Sequence, residues 1–194
     1  MKIERQAVPI ELVCIGGSQG GFEALESLLP QLPADYPCAV VVLLHQYRHG
    51  TGGLPELLGA RTAMPVKAVC DKDPVLPGHL FVAPANYHLL LEREHSFALN
   101  TDPPVQYARP SIDVLFESAA HVYGPRTAGV LLSGASIDGA SGLKQIKAVG
   151  GLVACQHPDT APGKVMPRAG RDATTVDKVG SPEELGQWLK QLHP

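Results

Sequence analysis

The run CAVVVLL, residues 38–44, is apolar without interruption. A strand that faces water on one side alternates apolar and polar residues, so a strand with no polar side must be covered on both faces. ELVCI at 11–15 is a second buried strand of this kind. Between them lies GFEALESLLPQL, in which Phe22, Leu25, Leu28 and Leu29 recur at helical spacing before Pro30 and Pro33 close the helix. The alternation continues along the chain. LPELLGA reads as a short helix and VKAV (66–69) as a strand. RPSIDVLFESAAHVY reads as a helix with Pro110 near its start and Ile112, Leu115, Phe116 and Ala119 on its apolar face. AGVLLSG (128–134) is a strand, DGASGLKQIKAVG a helix ending near Gly150, LVACQ (152–156) a strand, PRAGRDA a short helix and TVDKV a weak strand. SPEELGQWLKQL closes the chain as a helix, with Ser181 as N-cap, Pro182 at the first helical position and Glu184 completing a capping box. Repeated strand–helix units predict an α/β fold: a doubly wound, mostly parallel sheet with helices on both faces and right-handed crossovers. The stretch from Val75 to Leu99 departs from this alternation, and its strand-like pieces, broken by PAN and EREH, predict inserted antiparallel hairpins.

A chain of 194 residues with 44% apolar and 18% charged residues has the make-up of one globular domain, expected to span 1–194. The net charge of −3 is made of scattered acids and bases, and no basic stripe points to nucleic acid. No apolar segment approaches the ~20 residues that cross a bilayer, so no direct membrane insertion is expected. The N-terminal MKIERQAVPIE carries acids and no long apolar core, unlike a signal peptide. Cys14, Cys38, Cys70 and Cys155 are far apart and form no CxxC pair. They read as reduced, buried residues of a cytoplasmic protein.

In doubly wound sheets ligands meet the carboxyl ends of the strands. The first strand ends in VCIGGSQGG, residues 13–21. A dinucleotide fingerprint needs glycine where Ser18 stands and an acid at the end of the second strand, which offers His45 instead. A phosphate-binding P-loop needs a lysine where Phe22 stands. The pattern G-x-S-x-G is satisfied by Gly16 to Gly20. On a strand-to-helix turn it lifts a serine hydroxyl above the sheet, beside the helix N–H groups that favour an oxyanion. A serine hydroxyl needs a base, and imidazole titrates in the range such work requires. His45 stands at the end of the second strand, and Asp138, past the end of a later strand, is placed to orient it. Other roles remain open for each: Ser18 as an N-cap, His45 as a hydrogen-bonded strand-end residue, Asp138 as a cap for the helix starting at Gly139. His45 and His49 form H-x-x-x-H, but Gln46 replaces the glutamate of a zinc protease motif, and neither metal nor cofactor is expected. The remaining histidines show no ligand spacing.

The segments IGGSQGG, LLHQ, LPGHLFVAP, RPSIDVLFESAA, LLSGASIDGASG and MPRAG, in this order over nearly the whole chain, resemble the catalytic domain of the chemotaxis protein-glutamate methylesterases, the CheB family. The resemblance implies a triad of Ser18, His45 and Asp138. It implies hydrolysis of glutamyl methyl esters, and deamidation of glutamine, on the cytoplasmic helical bundle of methyl-accepting chemoreceptors as partner. It places the oxyanion at the backbone N–H of Gln19, beside Gly20, with a second donor from the turn at Ala135. It also places Arg109, Ser111 and Met166 near the substrate, with Pro167 and Arg168 beside the cleft. Three positions depart from the family pattern. Ala135 stands where a methionine is usual, Gln19 where a small residue, most often threonine, follows the nucleophile, and QYRHG follows His45 where proline is usual. These differences fall where a substrate would lie, so an esterase with another ester substrate and a binding module without turnover are the alternative readings. The family's chemotaxis enzymes carry a phosphorylatable receiver domain first. Only about ten residues precede the first strand here, so the chain is expected to be the catalytic domain alone.

Overall fold

The computed structural model describes residues 8–45 and 53–192. The uninterrupted apolar runs form the middle of the molecule. β1 (Leu12–Gly17) and β2 (Ala39–Leu44) are buried at every position and pair in parallel, from Leu12↔Ala39 to Gly17↔Leu44. β3 (Val66–Ala68) and β4 (Leu80–Val82) extend the sheet beyond β2. A separate antiparallel pair follows in the chain, β5 (His88–Leu91) with β6 (Phe97–Asn100). On the other side of β1 come β7 (Thr127–Leu131), β8 (Leu152–Gln156) and β9 (Lys178–Gly180). The main sheet has the order β3-β4-β2-β1-β7-β8-β9, and its pairings are parallel. The fold is therefore a mostly parallel α/β sheet with an antiparallel addition, as the alternating sequence predicts.

Helices cover both faces. α1 (Gly21–Leu28), α2 (Leu54–Gly59) and α6 (Pro182–Gln191) lie on one side, where Leu25, Leu28, Leu58, Leu185 and Leu189 pack with Val13 and Ile15. α3 (Ile112–Tyr123), α4 (Ala140–Ala148) and α5 (Val165–Ala173) lie on the other, where Leu115, Phe116, Leu143, Ile146 and Met166 pack with Leu12 and Cys14. Successive β1 residues thus feed opposite cores, the period-two rule of a strand buried on both faces. The capping box of α6 is present: the Ser181 hydroxyl accepts from Glu184 N, and the Glu184 carboxylate accepts from Ser181 N.

Two expectations are corrected. The stretch 75–99 holds one hairpin rather than several, because Leu80–Val82 joins the main sheet in parallel between β2 and β3. Leu80, Phe81 and Val82 are all buried, so this strand too has no side to give to water. Cys70 is exposed, lying beyond the end of β3, whereas Cys14, Cys38 and Cys155 are buried. Among the described residues no helix is long and apolar enough to cross a membrane.

From β1 the chain moves through β2 to β4 in one direction and later through β7 to β9 in the other. The reversal falls between β1 and β7, and a parallel sheet opens its crevice at the carboxyl ends at such a point.

Candidate active site

β1 delivers Ser18, β2 delivers His45 and β7 leads to Asp138, so all three stand at the same end of neighbouring strands. Ser18 and His45 follow directly on the last register pair, Gly17↔Leu44, and His45 N donates to Gly17 O at 3.0 Å. The turn Ser18-Gln19-Gly20 leads into α1. Gly20 sits at φ 77°, and a Cβ there would lie 2.7 Å from Ser133 Oγ, so conformation and space both require glycine. Gly20 is also the N-cap of α1, with no side chain capping it, so the Ser18 hydroxyl is not used as a cap. Ser18 N donates to Ser133 O (2.9 Å) and Gly21 N donates to Ser18 O (2.8 Å). Among the described residues, the N–H groups of Gln19 and Gly20 have no backbone acceptor.

A buried polar chain holds this turn from behind. Ser133 Oγ donates to Gln19 O (2.6 Å) and accepts from Gly163 N (2.8 Å). Ser133 N donates to Gln156 Oε1 (2.8 Å), and Gln156 Nε2 donates to Thr160 O (3.0 Å). With its carbonyl tied back, the peptide after Gln19 is fixed in orientation. Sequence patterning gives no sign of Ser133, Gln156 or Gly163, because their partners are brought together only by the sheet.

His45 Nε2 lies 2.7 Å from Asp138 Oδ2. Asp138 is fully buried and surrounded by donors. Oδ2 also accepts from Ile112 N (2.7 Å), while Oδ1 accepts from Ser111 Oγ (2.8 Å) and Asp113 N (3.0 Å). Burial alone would raise its pKa, but the bonds from His45, Asp113 N, Ile112 N and Ser111 outweigh it and hold the carboxyl below its ordinary value. Asp138 is therefore an anion that only accepts. Nε2 of His45 therefore carries the proton in their bond.

The helix that Asp138 caps is α3, not α4. Its carboxylate takes the first N–H groups of α3, where the helix field favours an anion. In exchange Asp113, on α3, accepts Gly142 N of α4 at Oδ1 (2.8 Å). The two helices thus trade carboxylates at their N-termini. Burial, with the nearby charges of Asp138 and Glu117, pushes Asp113 up to about 6 against the pull of the Gly142 and Gly139 amides. Behind Ser111 stands His88, buried at the start of β5. Its Nδ1 accepts Ser111 N (3.2 Å), so its Nε2 carries the proton donated to Pro103 O (3.1 Å). Nothing in the spacing of the histidines signals this role.

The other expected residues divide. Ser111 is buried on Asp138 and also caps α3 through Val114 N. Ala135 is exposed in the turn after β7. Met166 is fully buried, and a Cβ at Gly134 would lie 2.7 Å from its Cε, so it packs against that turn. Of its neighbours, Pro167 is buried and Arg168 exposed. Arg109 Nη1 donates to Thr101 O (2.8 Å) and Asp102 O (3.1 Å), bracing its own loop. Its Nε is buried without a partner among the described residues. His49 and the segment QYRHG lie outside the described residues.

The sequence profile of the CheB methylesterase family matches residues 13–189. The chain belongs to this family. CheB-family relatives include a provisionally named protein-glutamate methylesterase/protein-glutamine glutaminase of Leptospira interrogans, 40% identical over 182 residues and 94% of each chain. A protein-glutamate methylesterase/protein-glutamine glutaminase of Symbiobacterium thermophilum is 40% identical over 83% of this chain, but that match spans only 44% of its own length. The crystal structure of the Thermotoga maritima CheB methylesterase catalytic domain is 29% identical, with a TM-score of 0.90 over 95% of this chain and 100% of that one.

Proposed function

We propose that the protein hydrolyses glutamyl methyl esters, and deamidates glutamines, on the cytoplasmic helical bundle of chemoreceptors, with Ser18 as nucleophile, His45 as base and Asp138 as its anchor. The observation that carries this reading is the 2.7 Å bond between His45 Nε2 and the buried Asp138 carboxylate, one strand away from the Ser18 turn. Because Asp138 takes Nε2, the base is His45 Nδ1. It removes the Ser18 proton as Oγ attacks the ester carbonyl, and Asp138 stabilises the imidazolium that forms. The carbonyl oxygen, now negative, is met by the Gln19 N–H, whose peptide is held through its carbonyl, Ser18 O, by Gly21 N at 2.8 Å. Collapse of the tetrahedral species breaks the C–O bond, and methanol leaves with the proton from His45. Water then attacks the acyl-serine, His45 takes its proton and returns it to Ser18 Oγ, and the glutamate carboxylate is released. With glutamine the same steps release ammonia. Protons and electron pairs in this cycle move between Ser18, His45, substrate and water.

The test is a fluorophosphonate probe read by intact mass and peptide mapping. One adduct on Ser18 is expected, absent from Ser18→Ala and slowed by orders of magnitude in His45→Ala. No adduct on the wild type, or an adduct retained in Ser18→Ala, would remove the serine mechanism.

A further inference from the structure

Between β6 and α3 the chain makes a small projection that the mechanism leaves unused. Val105 and Ala108 exchange both backbone bonds, Val105 N to Ala108 O at 3.1 Å and Ala108 N to Val105 O at 2.9 Å. They close a two-residue turn whose central residues, Gln106 and Tyr107, sit at φ 49° and 63°. Positive φ at both central positions defines the turn that Asn-Gly or Gly-Gly makes without strain. Here the second position carries a tyrosine, a bulky residue rarely found in this region. Tyr107 is fully exposed and its neighbour Val105 partly so. A side chain that buries nothing returns no packing for the strained backbone beneath it. Such outliers persist where the surroundings over-determine them, and they concentrate at functional sites.

The projection is rigidly based. His88, itself buried, holds Pro103 O with Nε2 and Ser111 N with Nδ1, while Arg109 Nη1 holds Thr101 O and Asp102 O. It therefore shares an anchor with Ser111, which donates to Asp138. Ser111 is four positions along the chain from Tyr107, at most about 14 Å of extended chain. Tyr107 thus stands within that distance of Ser111, whose hydroxyl donates to Asp138, and the chain on either side of its turn is held by one side chain, His88. An exposed, pre-positioned tyrosine has the properties of an interface anchor: large amphipathic area with little side-chain freedom to lose. A small ester bound at Ser18 would not extend to it, whereas a protein carrying the ester would.

We propose that the 105–108 turn is a docking element for the protein substrate and that Tyr107 is its main contact, selecting protein-borne esters over free ones. This rests on the functional reading above. The strain supplies an unusual test, because substitutions in the turn separate stability from recognition. Tyr107→Gly and Gln106→Gly each relieve a positive-φ residue and are expected to raise Tm by about 2–4 °C. Only Tyr107→Gly removes the contact.

The readout is kcat/KM for methanol release from a methyl-esterified chemoreceptor cytoplasmic fragment, divided by kcat/KM for p-nitrophenyl acetate. In Tyr107→Gly this ratio is expected to fall at least tenfold, through KM for the fragment. In Gln106→Gly it is expected to stay at the wild-type value, and Tyr107→Phe to retain most of it. An unchanged ratio in Tyr107→Gly, with the wild type active on the fragment, overturns the docking role and leaves the functional reading standing. No release from the fragment by the wild type overturns both.

Discussion

At the scale of single residues, the burial of one carboxylate decides what its neighbours can do. Asp138 gives up contact with water and receives His45, Ser111 and two α3 amides in return, which keeps it ionised below the ordinary carboxylate range. Asp138→Asn would present an amide donor to groups that are themselves donors. On the proposed mechanism the substitution lowers kcat by roughly 10³–10⁴, by the loss of tautomer control known for this chemistry, while Ser18 itself remains in place. Steady-state kinetics beside circular dichroism separate that effect from unfolding. Asp113 behaves oppositely. Its folded pKa of about 6 exceeds the unfolded value, so the stability it contributes is fully present below about pH 4 and is lost as pH rises through about 6. Asp113→Asn removes this term and keeps an acceptor for Gly142 N. The variant should therefore gain stability relative to wild type between pH 4 and 7, by on the order of 2 kcal/mol, read by urea melts at each pH. An equal pH slope in both proteins would contradict the buried ionisation. The sequence makes Ser18, His45 and Asp138 visible because each follows a recognisable strand. Asp113 and His88 stay hidden because their partners are backbone groups of remote segments, Gly142, Ser111 and Pro103.

At the scale of elements, the site depends on how closely α3, α4 and the loops around Gly134 and Gly163 approach. A Cβ on Gly142 would lie 2.5 Å from Phe116 Cβ and 3.0 Å from Asp113 O, and one on Gly163 would lie 2.7 Å from the Gly134 carbonyl carbon. Gly142→Ala should push α4 from α3 and loosen both carboxylate caps, at about 1–3 kcal/mol. Gly163→Ala meets backbone that has no rotamer to yield. It should also disturb Ser133, and through it the Gln19–Gly20 peptide of the Ser18 turn, lowering esterase activity beyond its effect on stability. A fall in urea midpoint with unchanged slope measures the first effect, and activity at saturating substrate the second. Most elements can be located from the sequence: β2 from its unbroken apolar run, α6 from its capping box, α3 from its apolar spacing. The short strand β4 reads instead as part of a hairpin. Three residues carry too little pattern to show whether their partner is the next segment or the edge of β2, and only the long-range pairing decides.

At the scale of the whole molecule, the order of strands explains why this chemistry sits where it does. Reversal of the winding between β1 and β7 opens a crevice, and the loops that leave β1, β2 and β7 enter it with Ser18, His45 and Asp138. Two cores clamp the sheet from either face, so the strand ends are fixed while the loops remain free to vary. This division matches the chain's likeness to its CheB relatives: the architecture agrees with the Thermotoga maritima domain at a TM-score of 0.90 with only 29% identity. The departures Gln19 and Ala135 fall on exposed loop positions at the rim. The central claim, a serine-dependent esterase acting on protein-borne glutamyl esters, is tested most directly by methanol release from a methyl-esterified chemoreceptor cytoplasmic fragment, wild type against Ser18→Ala. Release by the wild type, abolished in a folded Ser18→Ala protein, is the predicted result. Equal release by both, or none from the wild type, would contradict it.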